Sequence, residues 1–240
     1  MLKIYFGNNQ NQFLLRKIDL INVNYSAIFN ITNIISLFNM HKIGKIILST
    51  SNKALNYLPI TNKQKYIVSL AYVKLLSDYG LKDRWNKINN FNIYLGMIPL
   101  EDTVDILMKE CKPTSVITVL ENFELQESSI GKPINKAYWK KNGIRNVTIP
   151  SPDFQRMELN TLIKSVWYLE KELINNEIVY IHCKAGVGRS ATIVTGYIIK
   201  HTGLSVNDAL NYVKHYRKIM INDEQIKTLY SYHKMLNNNK

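Results

Sequence analysis

Residues 178–196 read Ile-Val-Tyr-Ile-His-Cys-Lys-Ala-Gly-Val-Gly-Arg-Ser-Ala-Thr-Ile-Val-Thr-Gly. The apolar, β-branched run 178–181 predicts a short buried strand, and 190–200 predicts a helix. The loop between them carries a cysteine, two glycines and an arginine. A strand that feeds a glycine-containing loop opening a helix can aim several backbone amides at one anion, and the helix N-terminus adds partial positive charge. Gly186 and Gly188 are expected to allow close backbone approach and conformations closed to other residues. Cys183 begins the loop where amides converge, which favours a thiolate over a thiol. A thiolate at the base of a phosphate cradle is placed for in-line attack on phosphorus. Arg189 offers a planar fork for two phosphate oxygens. Ser190 can donate to the sulfur and make it a better leaving group.

Working outward, residues 115–120 (Ser-Val-Ile-Thr-Val-Leu) and 144–149 predict two more buried strands, and 92–100 a fourth that turns at Gly96 and Pro99. Helices are expected over 101–111, 158–173, about 205–217 and about 223–235. Leu159, Leu162, Ile163, Val166, Leu169 and Leu173 give the second of these an apolar stripe. Strands alternating with helices define an α/β fold class: a central, mostly parallel sheet flanked by helices. A soft boundary near 83/84 separates this domain (84–240) from an N-terminal extension (1–83), expected to be mainly helical and packed on it. In the extension, 2–6 alternates weakly and suggests a strand, and 45–48 is too short to assign. Residues 21–40 carry a helical stripe. The clearest helix is 61–79, capped by Thr61 and stopped by Gly80, with Ile67, Leu70, Ala71, Val73, Lys74 and Leu75 on or near one face. Such a stripe either faces the core or lies on a membrane surface.

Composition narrows the class further. Of 240 residues 46% are hydrophobic, enough for a sizeable core. Two cysteines, Cys111 and Cys183, form neither a disulfide framework nor zinc-type spacing, which fits a cytoplasmic or other reducing compartment. Cys111 reads as a small buried apolar residue. The net charge of +13 favours anionic partners: a phosphorylated lipid, a phosphoprotein or an anionic membrane touched peripherally. The basic residues are spread from Lys3 to Arg217 rather than gathered in one run, which argues for a solvated surface over a nucleic-acid patch. No stretch reaches the ~20 apolar residues of a membrane span. Polar residues 8–12 follow the N-terminus where a signal peptide needs an apolar core.

His-Cys-Lys-Ala-Gly-Val-Gly-Arg-Ser at 182–190 resembles the signature of the cysteine-dependent protein tyrosine and dual-specificity phosphatases. The resemblance implies a phosphocysteine intermediate on Cys183, phosphate bound by Arg189 and the 184–188 backbone (Lys184, Ala185, Gly186, Val187, Gly188), and no metal or other cofactor. It implies a structural role for His182. It also implies a general acid about thirty residues before the cysteine, where Asp153 stands in the proline-stiffened segment 149–154. A helix cap is the other reading of Asp153, and Glu158 is the fallback acid. Gln225 resembles a late segment that approaches the loop in these enzymes, or is a helix-surface glutamine.

Residues 84–100, 116–124 and 178–195 resemble the mitochondrial-type branch, whose members dephosphorylate phosphatidylglycerophosphate. Val119-Leu-Glu-Asn-Phe-Glu124 is similar to that branch's Glu-Glu-Tyr-Glu segment, with Glu121 and Glu124 retained. A carboxylate there can orient Arg189. Cys183-Lys-Ala-Gly also resembles the lipid 3-phosphatases, but these carry a second basic residue where this chain has Val187. The expected activity is phosphomonoester hydrolysis on a phospholipid. Phosphotyrosine or phosphoserine/threonine protein is the alternative, and a phosphate- or membrane-binding pseudophosphatase is a rival of another class.

Overall fold

The structure, a computed structural model, describes residues 61–153 and 155–238. The strand suggested at 2–6, the unassigned stretch 45–48 and the helix at 21–40 lie outside the described residues. Helix α1 (Asn62–Asp78) comes first, then strands β1 (Trp85–Ile88) and β2 (Ile93–Gly96), α2 (Val104–Glu110), β3 (Ser115–Thr118), a 3-10 turn (Asn122–Leu125), α3 (Lys136–Lys141) and β4 (Arg145–Thr148). Helix α4 (Leu159–Ile174), β5 (Val179–His182), α5 (Arg189–Thr202), α6 (Val206–Tyr216) and α7 (Asp223–Asn238) complete it. Among the described residues no helix is long and apolar enough to cross a membrane.

The sheet order is β1-β2-β5-β3-β4, parallel except for the β1–β2 pair. Its centre is β5, and every residue of β3 and β5 is buried. Alternate side chains serve two layers. Ile117, Val179 and Ile181 join the larger core with α4, α5, α6 and α7, while Val116 and Tyr180 join Val104, Leu107, Trp139 and Ile144 on the other face. Edge strand β1, where the sequence predicts no strand, is half exposed, so its periodicity is weak.

The register decides where chemistry can happen. Gly96, His182, Thr118 and Thr148 pair in one row across β2, β5, β3 and β4. These are the last residues of their strands, so four loops leave the sheet side by side at the carboxyl edge, where open α/β sheets place their ligands. Contact there is close. A Cβ on Gly96 would come within 2.2 Å of Tyr180 Oη, which itself donates to the Met97 carbonyl at 2.6 Å.

Helix α1 starts where expected. Thr61 Oγ1 accepts from the Gln64 amide, and Gln64 Oε1 accepts from the Thr61 amide, the reciprocal cap of a helix start. Gly80 follows its end at φ +65°. The buried face differs from the expected stripe: Tyr66, Ser69, Leu70, Tyr72, Val73 and Ser77 are buried, with Ile67 and Leu75 only partly so. Two of these are serines. Ser69 Oγ donates to the Lys65 carbonyl and Ser77 Oγ to Met97 Sδ, so hydroxyls that find partners can be buried where a hydropathy stripe omits them. The face packs on the loop edge of the sheet, Leu70 with Ile98, Leu100 and Leu120, and Val73 with Met97 and Ala185. Of the two readings of its stripe, the core-facing one holds for α1.

Candidate active site

The loop from β5 to α5 runs 183–188. Its conformation is set from outside. Ile98 N donates to the Lys184 carbonyl at 3.2 Å and Met220 N to the Val187 carbonyl at 2.8 Å. Between them Arg217 donates through Nη2 to Ala185 O (3.1 Å) and through Nε to Gly186 O (2.7 Å). Four consecutive carbonyls are thus held outward. In a trans peptide the carbonyl of one residue and the amide of the next point opposite ways, so the amides of Ala185, Gly186, Val187 and Gly188 face into the loop. That is an anion nest. Gly186 takes the left-handed φ of +66°, and a Cβ there would lie 2.2 Å from Gly96 O. Gly188 departs from expectation. Its φ is −114°, and an added Cβ would meet Met220 O at 3.4 Å, an ordinary contact.

Cys183 lies at the base of this nest, 3% exposed, with Ser190 Oγ donating to its Sγ at 3.2 Å. Burial pushes the thiol pKa up. The Arg189 charge and the hydroxyl and amide of Ser190 outweigh it, and the net direction is down. The preceding His182 is buried, its Nε2 3.0 Å from Thr118 Oγ1 and its Nδ1 3.3 Å from the Cys183 carbonyl. Burial and the Arg189 charge take its pKa down to about 3, against the pull of that carbonyl, so the ring is neutral near pH 7.

Arg189 opens α5 and is 1% exposed. Its Nη1 and Nη2 grip both oxygens of Glu124, at 2.5 and 2.9 Å, and Nη1 also donates to the Ser151 carbonyl at 2.8 Å. Its Nε stands 3.3 Å from Asp153 Oδ1 as an ion pair but makes no hydrogen bond. Burial opposes the guanidinium charge, and Asp153 and Glu124 more than restore it. Glu124 itself is fully buried. Removing one partner of such a buried pair costs about 3–5 kcal/mol, because it leaves the other charge buried and uncompensated.

Asp153 hangs from the loop after β4 and is ion-paired with Lys184 Nζ. Helix α4 begins at Leu159 with Glu158 in the N-cap position and no side-chain cap bond, so Asp153, further upstream, does not cap it. Glu158 is exposed and outside the residues that line the pocket. Burial and Glu124 push the Glu121 carboxyl pKa up, and the Arg189 charge and a bond from the Asp153 backbone oppose them. Gln225 is buried beside the loop, its Oε1 accepting from Asn222 N at 3.2 Å, not on the surface of α7.

The pocket over Cys183 is walled by Ala185, Val187, Met220 and Gln225 and, from α1, by Ser69, Tyr72 and Val73. Sequence reasoning missed Ser151, Thr118, Arg217 and the α1 residues. Arg217 carried a signal only as one scattered cation, and Ser151 acts through a carbonyl that any residue has.

A five-stranded mixed sheet flanked by helices, with this loop on its carboxyl edge, is the architecture of the dual-specificity phosphatases. Residues 93–235 match the model described as dual specificity phosphatase, catalytic domain. The chain belongs to that family and is a cysteine-dependent phosphatase. Among its relatives, "Phosphatidylglycerophosphatase and protein-tyrosine phosphatase 1" of Mus musculus is 29% identical over 155 residues, 64% of this chain and 78% of that protein. "Phosphatidylglycerophosphate phosphatase PTPMT1" of Arabidopsis thaliana is 28% identical over 200 residues, 81% of this chain and 56% of that protein. The crystal structure of PTPMT1 in complex with PI(5)P superposes with a TM-score of 0.58 at 28% identity, covering 65% of this chain and 99% of that one.

Proposed function

We propose that this protein hydrolyses the phosphomonoester of a phospholipid, phosphatidylglycerophosphate or a phosphoinositide, through a phosphocysteine intermediate. The observation that carries the chemistry is the nest of inward amides closed at one end by Cys183 and at the other by a guanidinium fixed on Glu124. The Cys183 thiolate attacks phosphorus, the P–S bond forms and the P–O ester bond breaks. Asp153, as the acid, gives its proton to the departing oxygen. Water then attacks phosphorus, Asp153 takes its proton, the P–S bond breaks and inorganic phosphate leaves. The Ser190 hydroxyl stabilises the sulfur as it departs. Arg189 and the loop amides hold the equatorial oxygens throughout. His182, neutral and bonded to Thr118, orients the start of the loop and carries no proton in this scheme. Lys184 holds Asp153 before substrate arrives, and a phosphate dianion competes for the same cation.

The substrate class rests on the names of the relatives and on the pocket wall. Ala185, Val187 and Met220 are apolar, which suits the glycerol side of a lipid headgroup more than a second phosphate. Protein phosphotyrosine is the second reading, favoured by the double activity in the name of the mouse relative. Phosphate release from phosphatidylglycerophosphate, a phosphoinositide panel and a phosphotyrosine peptide, measured with a chelator present and Cys183→Ser as control, tests both. The lipid should be preferred, and chelation should leave turnover unchanged. Preference for the peptide selects the second reading, and turnover surviving in Cys183→Ser overturns the phosphocysteine.

A further inference from the structure

Helix α1 lies before the residues that match the phosphatase family, yet it reaches the charged centre. The contact is Tyr66. Its ring is 5% exposed and meets Phe123 edge-on, centroids 5.9 Å apart at 85°. Its Oη donates to the Glu124 backbone carbonyl at 2.9 Å, a buried bond spanning 58 residues of sequence. The Lys184 ammonium lies 5.9 Å from the centroid of the same ring. One side chain therefore touches the segment that bears Arg189's carboxylate partner and the lysine that holds Asp153. Burial, with Glu124 nearby, pushes the phenol pKa well up, so Tyr66 remains a donor at any working pH.

We propose that Tyr66 is a positioning residue for the phosphatase reaction, acting through the Glu124 backbone to set the angle at which Glu124 presents Arg189 to the phosphoryl group. The proposal rests on the phosphatase reading of the site and makes α1 a working part of the catalytic unit. The mechanical reasoning is short. Residues 122–125 are a single 3-10 turn, too short to hold itself rigid. Its own bonds include Glu121 N to Glu124 Oε2 at 2.9 Å, which draws on an oxygen that Arg189 also uses. An external donor on the Glu124 carbonyl and an aromatic edge on Phe123 brace the turn. A fork misdirected by a fraction of an ångström loses bonds that exist only in the transition state, and kcat registers that more than KM.

The test is Tyr66→Phe in the full-length protein, which keeps the ring and removes only the hydroxyl. A buried hydrogen bond of this kind corresponds to roughly three- to ten-fold in rate. Turnover of an aryl phosphate should fall by that factor with KM little changed, and the inhibition constant of orthovanadate, which mimics five-coordinate phosphorus, should rise in parallel. In a Glu124→Gln background the same substitution should cost less than about two-fold, because the two act on one guanidinium. A tyrosine that only supports the fold lowers the melting temperature, leaves the vanadate constant unmoved and gives multiplicative effects in the double variant. Either an unchanged vanadate constant or a full penalty persisting in Glu124→Gln overturns the proposal. The phosphatase reading fails on a different result, turnover in Cys183→Ser, so the two failures are distinguishable.

Discussion

Cys183 and Cys111 are equally buried, 3% and 2% exposed, and their thiols are driven in opposite directions. Cys111 packs among Val104, Leu107, Trp139 and Tyr180 on the face of the sheet that carries α2 and α3. Burial, with Glu110 adding to it, pushes its thiol up to about 12. Cys183 suffers the same burial, but a guanidinium and two donors from Ser190 reverse the outcome. Burial alone makes a cysteine inert. Reactivity needs charge and donors held still beside it, and here three loops and a helix hold them.

The largest effect separates the two residues outright. Cys183→Ser should abolish turnover, whereas Cys111→Ala should keep kcat within about two-fold and cost on the order of 1 kcal/mol in stability, read by denaturant titration. Comparable loss of turnover in both variants would dissolve the contrast. Next comes Arg217→Met, which removes the donors that turn the Ala185 and Gly186 carbonyls outward. Two charge-assisted bonds of about 1.5–3 kcal/mol each are at stake, so kcat/KM should fall roughly 10²-fold while Cys111 is untouched. A variant with normal kcat/KM would show that the loop holds its shape unaided.

The smallest effect sharpens the comparison by pH. In the proposed scheme the thiolate attacks and protonated Asp153 acts as the acid, so kcat/KM is bell-shaped, with the acid limb set by Cys183 and the alkaline limb by loss of the Asp153 proton. Ser190 lowers the Cys183 pKa, so Ser190→Ala must raise it and move the acid limb of the profile to higher pH, with turnover about ten-fold lower at neutral pH. Alkylation by iodoacetamide should follow the same shift at Cys183 and leave Cys111 unlabelled at pH 7. An unmoved acid limb would assign the thiolate to Arg189 and the amides alone.

Much of this was legible in the chain. Strands β3 and β5 announced themselves because they are buried on both faces and read as continuous apolar runs. Helices α4 to α7 carry capping residues or wide apolar stripes, and Ser205 caps α6 as its position suggests, accepting from Asp208 N at 3.2 Å. Three elements escaped. Strand β1 is half exposed, and α3 and the 3-10 turn span only six and four residues, less than two helical turns of pattern. Within the pocket, Cys183, Arg189 and Ser190 could be read together because one loop and one helix turn carry them. Asp153 came through resemblance with only its proline-stiffened segment as a local signal, and Glu124 came through resemblance alone, since nothing local distinguishes it from a surface carboxylate.

The sequence by itself determined the local events: a strand ending at His182, a glycine turn, a helix beginning at Arg189, and a thiol, fork and hydroxyl within eight residues. Those follow from short-range sterics and hydrogen bonding, which neighbouring residues settle among themselves. Tertiary structure alone decided how that loop is held. Glu124 meets Arg189 across 65 residues, Ser151 across 38, Arg217 meets Gly186 across 31, and Tyr66 meets Glu124 across 58. These contacts exist because the strands end in register and their loops emerge together, and a helix from before the sheet closes over them. The physical reason is one of range. A side chain's partners within a turn or two are encoded beside it, whereas the partners that orient a buried charge are chosen by packing, which brings distant segments to the same few ångströms.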